Sequence, residues 1–500
     1  MIKLNPSKAY HPAGILLFGL LIAQIIATIE VYLSNLELHR TVSTLYDAGY
    51  LTVPNAMVMS RLQNFWPAFW GGLFFTCSIG AGISLGSMAA GWIWSHLSGR
   101  NKFVLFILLS IWGGLLLISN IRGLALFPTL YFLLIAPALF LLTAKWEAHT
   151  ALQPTGRLRW LHLFPIPLLA LLWFTQFDTE LFADLRDNLL LTNYFGKKFN
   201  QYYYDYTLYP AEAFKSLDQK IIKTCRLESI SSPGLRLKLA NRLLANDYLP
   251  LSGTARVDLK IVQQSDNLVF SGEDRKVLLI KVHQFLAKSQ KTLQKYSEES
   301  DRHGAFRQFA YLSLLIGFPV LIYILLHFAI YYPTAWFLSR KNSAISASVL
   351  CLVVGLLVLV YFQANRSGND RPNNIPEALK SKDMSIRIAA LKSIQQKKLD
   401  VADYRSYPQL LKSPHPQERY WLAVAMAVGR SQQSYLDLLK FLEDKNTNVR
   451  CMAFHSLGVR NNRQAVKPIL KKIRISRDWY AQLYAYRALR SLGWKQKKLP

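Results

Sequence analysis

The chain has 500 residues, of which 51% are hydrophobic and 18% charged, with a formal net charge of +29. That length would give a soluble chain about two to four domains, but the averages conceal segments of opposite character. Lys and Arg against Asp and Glu number 10 against 4 in residues 1–177, 19 against 16 in 178–305, 3 against 0 in 306–363 and 27 against 10 in 364–500. No phosphate-binding loop, paired-histidine zinc helix or calcium loop is present, so no cofactor or metal is assigned and the chain is read as non-enzymatic.

The first predicted elements are membrane spans. Crossing about 30 Å of hydrocarbon takes about 20 mainly apolar residues. Ala13 to Leu33, Trp66 to Trp94, Phe103 to Ser119, Leu124 to Thr143, Trp160 to Phe177, Phe306 to Ile330 and Ala344 to Phe362 qualify, seven in all. With no water to satisfy the backbone, each is read as helix. The third and fourth are separated only by Asn120-Ile121-Arg122-Gly123 and form a hairpin. The first keeps a basic flank but lacks a small-x-small cleavage site, so it reads as an uncleaved anchor. With the N-terminus inside, short inner loops carry nine basic residues (Lys3, Lys8, Arg100, Lys102, Lys145, Arg157, Arg159, Arg340, Lys341) against Arg40, Arg61 and Arg122 outside. This favours a cytoplasmic N-terminus, with the insert and C-terminal domain periplasmic in a bacterial inner membrane. A re-entrant or broken second segment would return the C-terminal domain to the cytoplasm.

Small residues recur every four positions along the second span, as Gly72, Thr76, Gly80 and Ser84 beside Ser78, Gly82, Gly86 and Ala90. Such stripes let helices approach closely, so Gly72, Gly80, Gly82 and Gly86 are read as packing positions. Gly82-Ile83-Ser84-Leu85-Gly86 matches a nucleophile pattern, but no strand precedes it, and packing accounts for the whole segment. Gln24 and Glu30 are the polar residues of the first span. An intramembrane carboxylate is a functional candidate, though Glu30, near the outer end, reads first as interfacial. His162 and His327 are weak haem candidates. Cys77 and Cys351 lie in spans; Cys225 and Cys451, in different soluble parts, could pair only in an oxidising compartment.

The insert, residues 178–305, is read as a small α+β module. Ala211 to Arg226 shows helical spacing of Phe214, Leu217, Ile221, Ile222 and Cys225, and Pro233 to Ala245 repeats it. The period then changes to two at Val257, Leu259 and Ile261, which with Leu268-Val269-Phe270 makes a hairpin. A helix from Glu273 to Tyr296 leads on to the sixth span. The stretch from Tyr194 to Phe214 is crowded with nine aromatics: Tyr194, Phe195, Phe199, Tyr202, Tyr203, Tyr204, Tyr206, Tyr209 and Phe214. The first reading is a collar resting on lipid headgroups; a partner-recognition surface through Tyr202, Tyr203, Tyr204, Tyr206 and Tyr209, and plain core packing, remain open.

In the C-terminal domain, residues 364–500, similar segments begin at Arg387, Arg419, Arg450 and Gln482. Their near-constant spacing is the signature of a repeat array. Each has an apolar residue seven positions on, at Ile394, Met426, Leu457 or Leu489; Gly429, Gly458 and Gly493 are read as closing three of them. Asp383, Glu418, Asp444 and Asp478 precede the starts, where they favour a helix dipole. Asn448-Val449-Arg450-Cys451-Met452-Ala453 and Ser385-Ile386-Arg387-Ile388-Ala389-Ala390 resemble the second helix of HEAT-like repeats, over residues 375–494. The resemblance implies an α-solenoid that binds macromolecules, and it makes Arg387, Arg419 and Arg450 candidate partner-binding residues. Gln482 departs from the pattern, as a terminal cap would.

The fold class is therefore mainly α: a polytopic bundle of about seven spans (1–177 and 306–363), an α+β insert and a HEAT-like C-terminal array. The expected function is a membrane scaffold contacting lipids and partner proteins through its basic repeats, with nucleic acid disfavoured. The alternative is a transporter subunit or an enzyme acting on a lipid-linked substrate.

Overall fold

The computed structural model describes residues 12–150, 164–176, 178, 181–272, 276–366 and 372–496. The protein is mainly helical, and among the described residues six helices are long and apolar enough to cross a membrane: α1 (Pro12–Asp47), α2 (Phe65–Leu97), α3 (Lys102–Asn120), α4 (Leu126–Trp146), and two that follow the insert. The segment expected as a fifth span is described only as the short helix α5 (Pro165–Phe174). At the rise of an α-helix it covers about 15 Å, half of a hydrocarbon core. Residues 160–163 and 177 of that expected span, with His162, Arg157 and Arg159, lie outside the described residues.

Helix α1 runs well past the expected end at Leu33, to Asp47. Its extension stays partly buried at Asn35, Val42 and Leu45, and the chain then turns at Gly49, where φ is +77°. Helix α2 is continuous rather than broken, with π-turns at Thr76–Gly80 and Ile93–Leu97.

The first small-residue stripe lies along α1 in antiparallel order. A Cβ at Gly72 would sit 3.2 Å from Thr28 N, Thr76 Oγ1 donates to Gln24 Oε1 at 2.6 Å, a Cβ at Gly80 would meet the Ala23 Cβ at 2.5 Å, and Ser84 faces Gly19. The Gln24 amide also donates to Thr28 Oγ1 and Phe69 O at 3.1 and 2.9 Å, so it is spent on the helix crossing. Ser84 is fully buried in this packing.

The insert holds α6 (Tyr194–Tyr206), β1 (Lys223–Glu228), α7 (Pro233–Ala245), β2 (Tyr248–Pro250), β3 (Leu259–Gln264), β4 (Asn267–Ser271), β5 (Lys276–Lys281) and α8 (Ser289–Ser300). The sheet order is β2-β1-β3-β4-β5, with β1 parallel to both neighbours and β3-β4-β5 antiparallel. Helix α7 and the β3–β4 hairpin follow the sequence reading. Two expected helices do not form as read. Within 211–226, Phe214 takes φ +61°, ending helical geometry, and Cys225 enters a central strand opposite Leu259 and Pro250. Within 273–296, residues 276–281 pair with β4, because an exposed β4 edge outweighs local periodicity; 273–275 lie outside the described residues.

The chain re-enters the apolar bundle as α9 (Gly304–Thr334) and α10 (Arg340–Arg366). Gly82 of the second stripe crosses α9: a Cβ there would overlap Ser313, 2.7 Å from that residue's Cβ, and a Cβ at Gly317 would lie 3.3 Å from the Gly82 backbone. Gly86 corrects the stripe reading, since a Cβ there would meet nothing within 4 Å. The π-turns at 76–80 and at Ser313–Gly317 flank this crossing and shift the face that each later residue presents. Helix α3, whose Phe103, Phe106, Leu117 and Ile118 are all exposed, lies at the bundle edge. His327 packs between the Tyr323 and Tyr331 rings of its own helix. All four cysteines are free, Cys225 and Cys451 each buried in its own part.

The C-terminal region contains α11 (Met384–Lys397), α12 (Pro416–Met426), α13 (Gln432–Phe441), α14 (Thr447–Arg460), α15 (Val466–Ile475) and α16 (Trp479–Ser491). The four helices carrying the periodic segments stack in order, α11 on α12 on α14 on α16, with α13 and α15 packed alongside. Gly493 closes α16 at φ +76°, but Gly458 lies inside α14, where a Cβ would come within 3.1 Å of Ala488 Cα. One apolar cluster runs from Ile15 and Ala23 through Leu208 and Tyr209 to Trp479 and the repeat core. Gly82→Leu is expected to cost about 3 kcal/mol or more by overpacking, and Gly86→Leu less than about 0.5 kcal/mol. Thermal unfolding of detergent-solubilised protein measures both; equal losses would overturn the packing assignment.

Candidate partner-binding cleft

The periodic arginines brace the array from within. Arg387 Nη1 donates to Ser381 O at 2.7 Å, Arg419 Nη1 to Ser413 O at 2.6 Å and Arg450 Nη1 to Asp444 O at 2.8 Å, each reaching back within its own repeat. The same guanidinium groups pair with an acid of the following repeat: Arg387 with Glu418, Arg419 with Asp444 at 2.7 and 3.0 Å, and Arg450 with Asp478 at 2.5 Å. Charge-assisted forks of this kind fix geometry as well as adding energy. The acids read as dipole partners thus have a second task. Asp383 and Asp478 do cap α11 and α16, accepting from Ser385 N and Ala481 N, while Glu418 and Asp444 serve the preceding arginine. The three arginines expected to meet a partner are committed inside the chain.

Gln482 stands where the other three segments have arginine, and its contacts differ. Its Nε2 makes the equivalent contact within its own repeat, to Ser476 O at 2.8 Å, but its Oε1 accepts the Asn55 backbone N–H at 2.8 Å. Asn55 Nδ2 lies 2.9, 3.1 and 2.9 Å from the carbonyls of Ile473, Arg474 and Ser476. Gln496 completes the junction, exchanging bonds with both backbone groups of Leu51 at 3.3 and 2.7 Å. The array is therefore capped by the loop joining α1 to α2. Tyr486 and Arg490 hold Asp247 of the insert at 2.6 and 3.1 Å, and burial keeps that carboxyl above its ordinary range despite both partners. At the other end Trp421 Nε1 donates to Asp187 at 2.8 Å, and Lys392 lies 3.6 Å from Asp184.

Helix α6 and the turn after it fill the space between. Asn193 caps α6 by accepting the Gly196 N–H at 2.7 Å, and Gly196 rests so tightly on Leu190 that any Cβ would overlap its backbone. Tyr203 stacks on Tyr480 at 5.9 Å, Tyr204 meets it edge-on at 4.8 Å and donates to Asn448 Oδ1, and Tyr209 meets Trp479 edge-on at 5.5 Å. Tyr202 and Tyr206 turn to Trp70 of α2 instead, both at 6.3 Å. Burial keeps the Tyr204 and Tyr480 phenols protonated far above neutral pH, so both remain donors. The collar reading is thus corrected for part of the cluster: Tyr203, Tyr204 and Tyr209 bind the C-terminal array to the rest of the chain.

What remains between these surfaces is a cleft of about 520 Å³, bounded by Arg61, Tyr204, Asp205, Tyr209, Arg450 and the 442–447 and 475–481 segments. Asp444, Asp478 and Glu443 are already paired with Arg419, Arg450 and Lys472. Asp205 is raised above its ordinary value, first by burial and then by Asp478, against the opposing pull of Arg61. Exposed Lys445 and Arg477 form no ion pair among the described residues, which leaves the rim positive. Of the residues singled out in the sequence, Tyr204, Tyr209, Asp444, Arg450 and Asp478 reach this cleft. Arg61, Asp205, Lys445 and Arg477 were missed; only the aromatic pair Trp479-Tyr480, breaking the repeat pattern, signalled the place. Asn55→Ala is expected to cost about 2 kcal/mol, because several buried carbonyls lose their donor. Hydrogen exchange across α16 should then accelerate about ten- to thirty-fold, and an unchanged rate would remove Asn55 as the cap. Compared with models of known families, with curated proteins and with solved structures, the chain gives no match.

Proposed function

We propose that the chain is an integral membrane scaffold, whose spans anchor a single soluble platform that presents its cleft to an acidic segment of a partner protein. The observation carrying this reading is the cleft itself, with an aromatic floor at Tyr209 and Trp479 and a rim at Lys445 and Arg477 that is positive after internal pairing. In this reading the C-terminal array is a HEAT-like solenoid, supported by the brace repeated at Arg387, Arg419 and Arg450 and by its modified form at Gln482. The partner contacts the rim and the outer faces of the array, since the braces are spent internally.

Seven crossings, with the N-terminus in the cytoplasm of a bacterial inner membrane and the platform in the periplasm, fit best. Arg122 in the α3–α4 turn donates to Asp301 O at 3.1 Å, so that turn and the insert share a side. Helix α4 then carries the chain away, and in this reading α5 belongs to the span that returns it. Helix α5 supports that return: Leu169 lies against Gly355 and Trp173 against Phe362, so it runs parallel to the second half of α10 and ends beside Arg366. Arg100 and Lys102 share the opposite side, Arg100 donating to Ala144 O at 3.3 Å. A cytoplasm-only reporter fused after Pro500 should be silent; its activity would require an even number of crossings.

The double variant Lys445→Glu, Arg477→Glu should insert normally yet lose about nine-tenths of the proteins crosslinked to the wild type in native membranes. Raising salt should weaken the wild-type contact too, because exposed charges are screened beyond about 8 Å at physiological ionic strength. Retention of the same proteins by the double variant, at low and high salt alike, would end the cleft reading.

A further inference from the structure

Helix α6 has three distinct faces. Tyr203, Tyr204 and Thr207 meet the C-terminal array, with Thr207 Oγ1 2.7 Å from Tyr480 Oη. Lys197, Lys198 and Gln201 are exposed and polar. The third face carries Phe195, Phe199, Tyr202 and Tyr206, at spacings of four, three and four. Its last two rings pack on Trp70, and Tyr202 donates to Trp70 O at 2.5 Å. Its first two are bare: Phe195 is 83% and Phe199 54% exposed, a large cost in water for two rings on one helix face.

The position of the helix says what covers them. Its C-terminal end is tied through Trp70 to the first turns of α2, where Phe65 and Trp66 are also exposed. Its N-terminal end rests on the π-turn Arg186–Leu190, which packs on α10 near the helix end where Arg366 pairs with Asp184 at 3.0 Å. Both ends are thus held at the same-side termini of two apolar helices. Helix α6 spans the distance between them along the bundle rather than away from it. The array covers another face, so the bare aromatic face continues the apolar surface of the spans. Rings of this type concentrate at the membrane boundary, and neighbouring lysines can extend their ammonium groups to headgroup phosphates.

We infer that α6 lies in the plane of the membrane surface, with Phe195 and Phe199 inserted at the boundary between headgroups and acyl chains and Lys198, which flanks them, toward anionic headgroups. The inference requires that the spans be in a bilayer but does not depend on a protein partner. The helix then couples lipid on one face to the C-terminal array on another, and its tilt is set by both.

The full chain, carrying p-benzoylphenylalanine in place of Phe195, Phe199 or Gln201, is reconstituted in vesicles of phosphatidylethanolamine and phosphatidylglycerol and irradiated. Lipid adducts should form at 195 and 199 several-fold more than at 201. Adducts to another protein chain, or equal lipid labelling at all three positions, would overturn the inference. As an independent reading, Phe195→Cys should react with a membrane-impermeant maleimide several-fold more slowly than Gln201→Cys in the same vesicles. Equal rates would overturn it too.

Discussion

The stacked C-terminal helices meet the rest of the chain where the carbonyls of Ile473, Arg474 and Ser476 converge on one side-chain amide. Asn55, in the loop between the first two apolar helices, places its side-chain amide among all three, while its own backbone N–H binds Gln482. Buried carbonyls deprived of donors are costly, so the array and the membrane-proximal loop specify each other. From this junction follow the positions of Trp479 over Tyr209, of Tyr480 over α6 and of Arg490 on the insert.

The same logic runs along the array. Each arginine holds its own loop by a backbone carbonyl and the next repeat by a carboxylate, so repeat spacing is set by side-chain reach as much as by apolar packing. An ion pair that braces two backbones is unavailable to a partner. Partner contacts then fall on cations that geometry leaves over, at the cleft rim, rather than on the cations that recur most regularly in the sequence.

The aromatic segment shows how one short helix can serve three environments. Periodicity alone assigns a face to each ring, but the environment of each face is a property of what is folded against it. Tyr203 and Tyr204 meet Tyr480, Tyr202 and Tyr206 meet Trp70, and Phe195 and Phe199 stay bare. A tyrosine can end in any of these settings because its ring is apolar and its hydroxyl needs only one partner.

Local runs and spacings were enough to establish the long apolar helices, Gly72 and Gly80 as packing positions though not the helix they meet, helix α7, the β3–β4 hairpin and the period of the C-terminal array. These patterns hold whatever the neighbours are. They were not enough for β1 or β5, where apolar spacing suits a helix as well as a strand and hydrogen bonding to β3 and β4 settled the outcome. They did not distinguish Gly82 from Gly86, which share one face of a regular helical segment, because only the crossing point of α9 decides which of the two is covered. Nor could they tell bracing from binding at Arg387, Arg419 and Arg450, since a guanidinium attracts an acid of its own chain as readily as one of a partner. Folding in three dimensions was needed to bring Asn55 to Gln482, 427 positions away, because no local pattern encodes which distant donor will satisfy a terminal carbonyl.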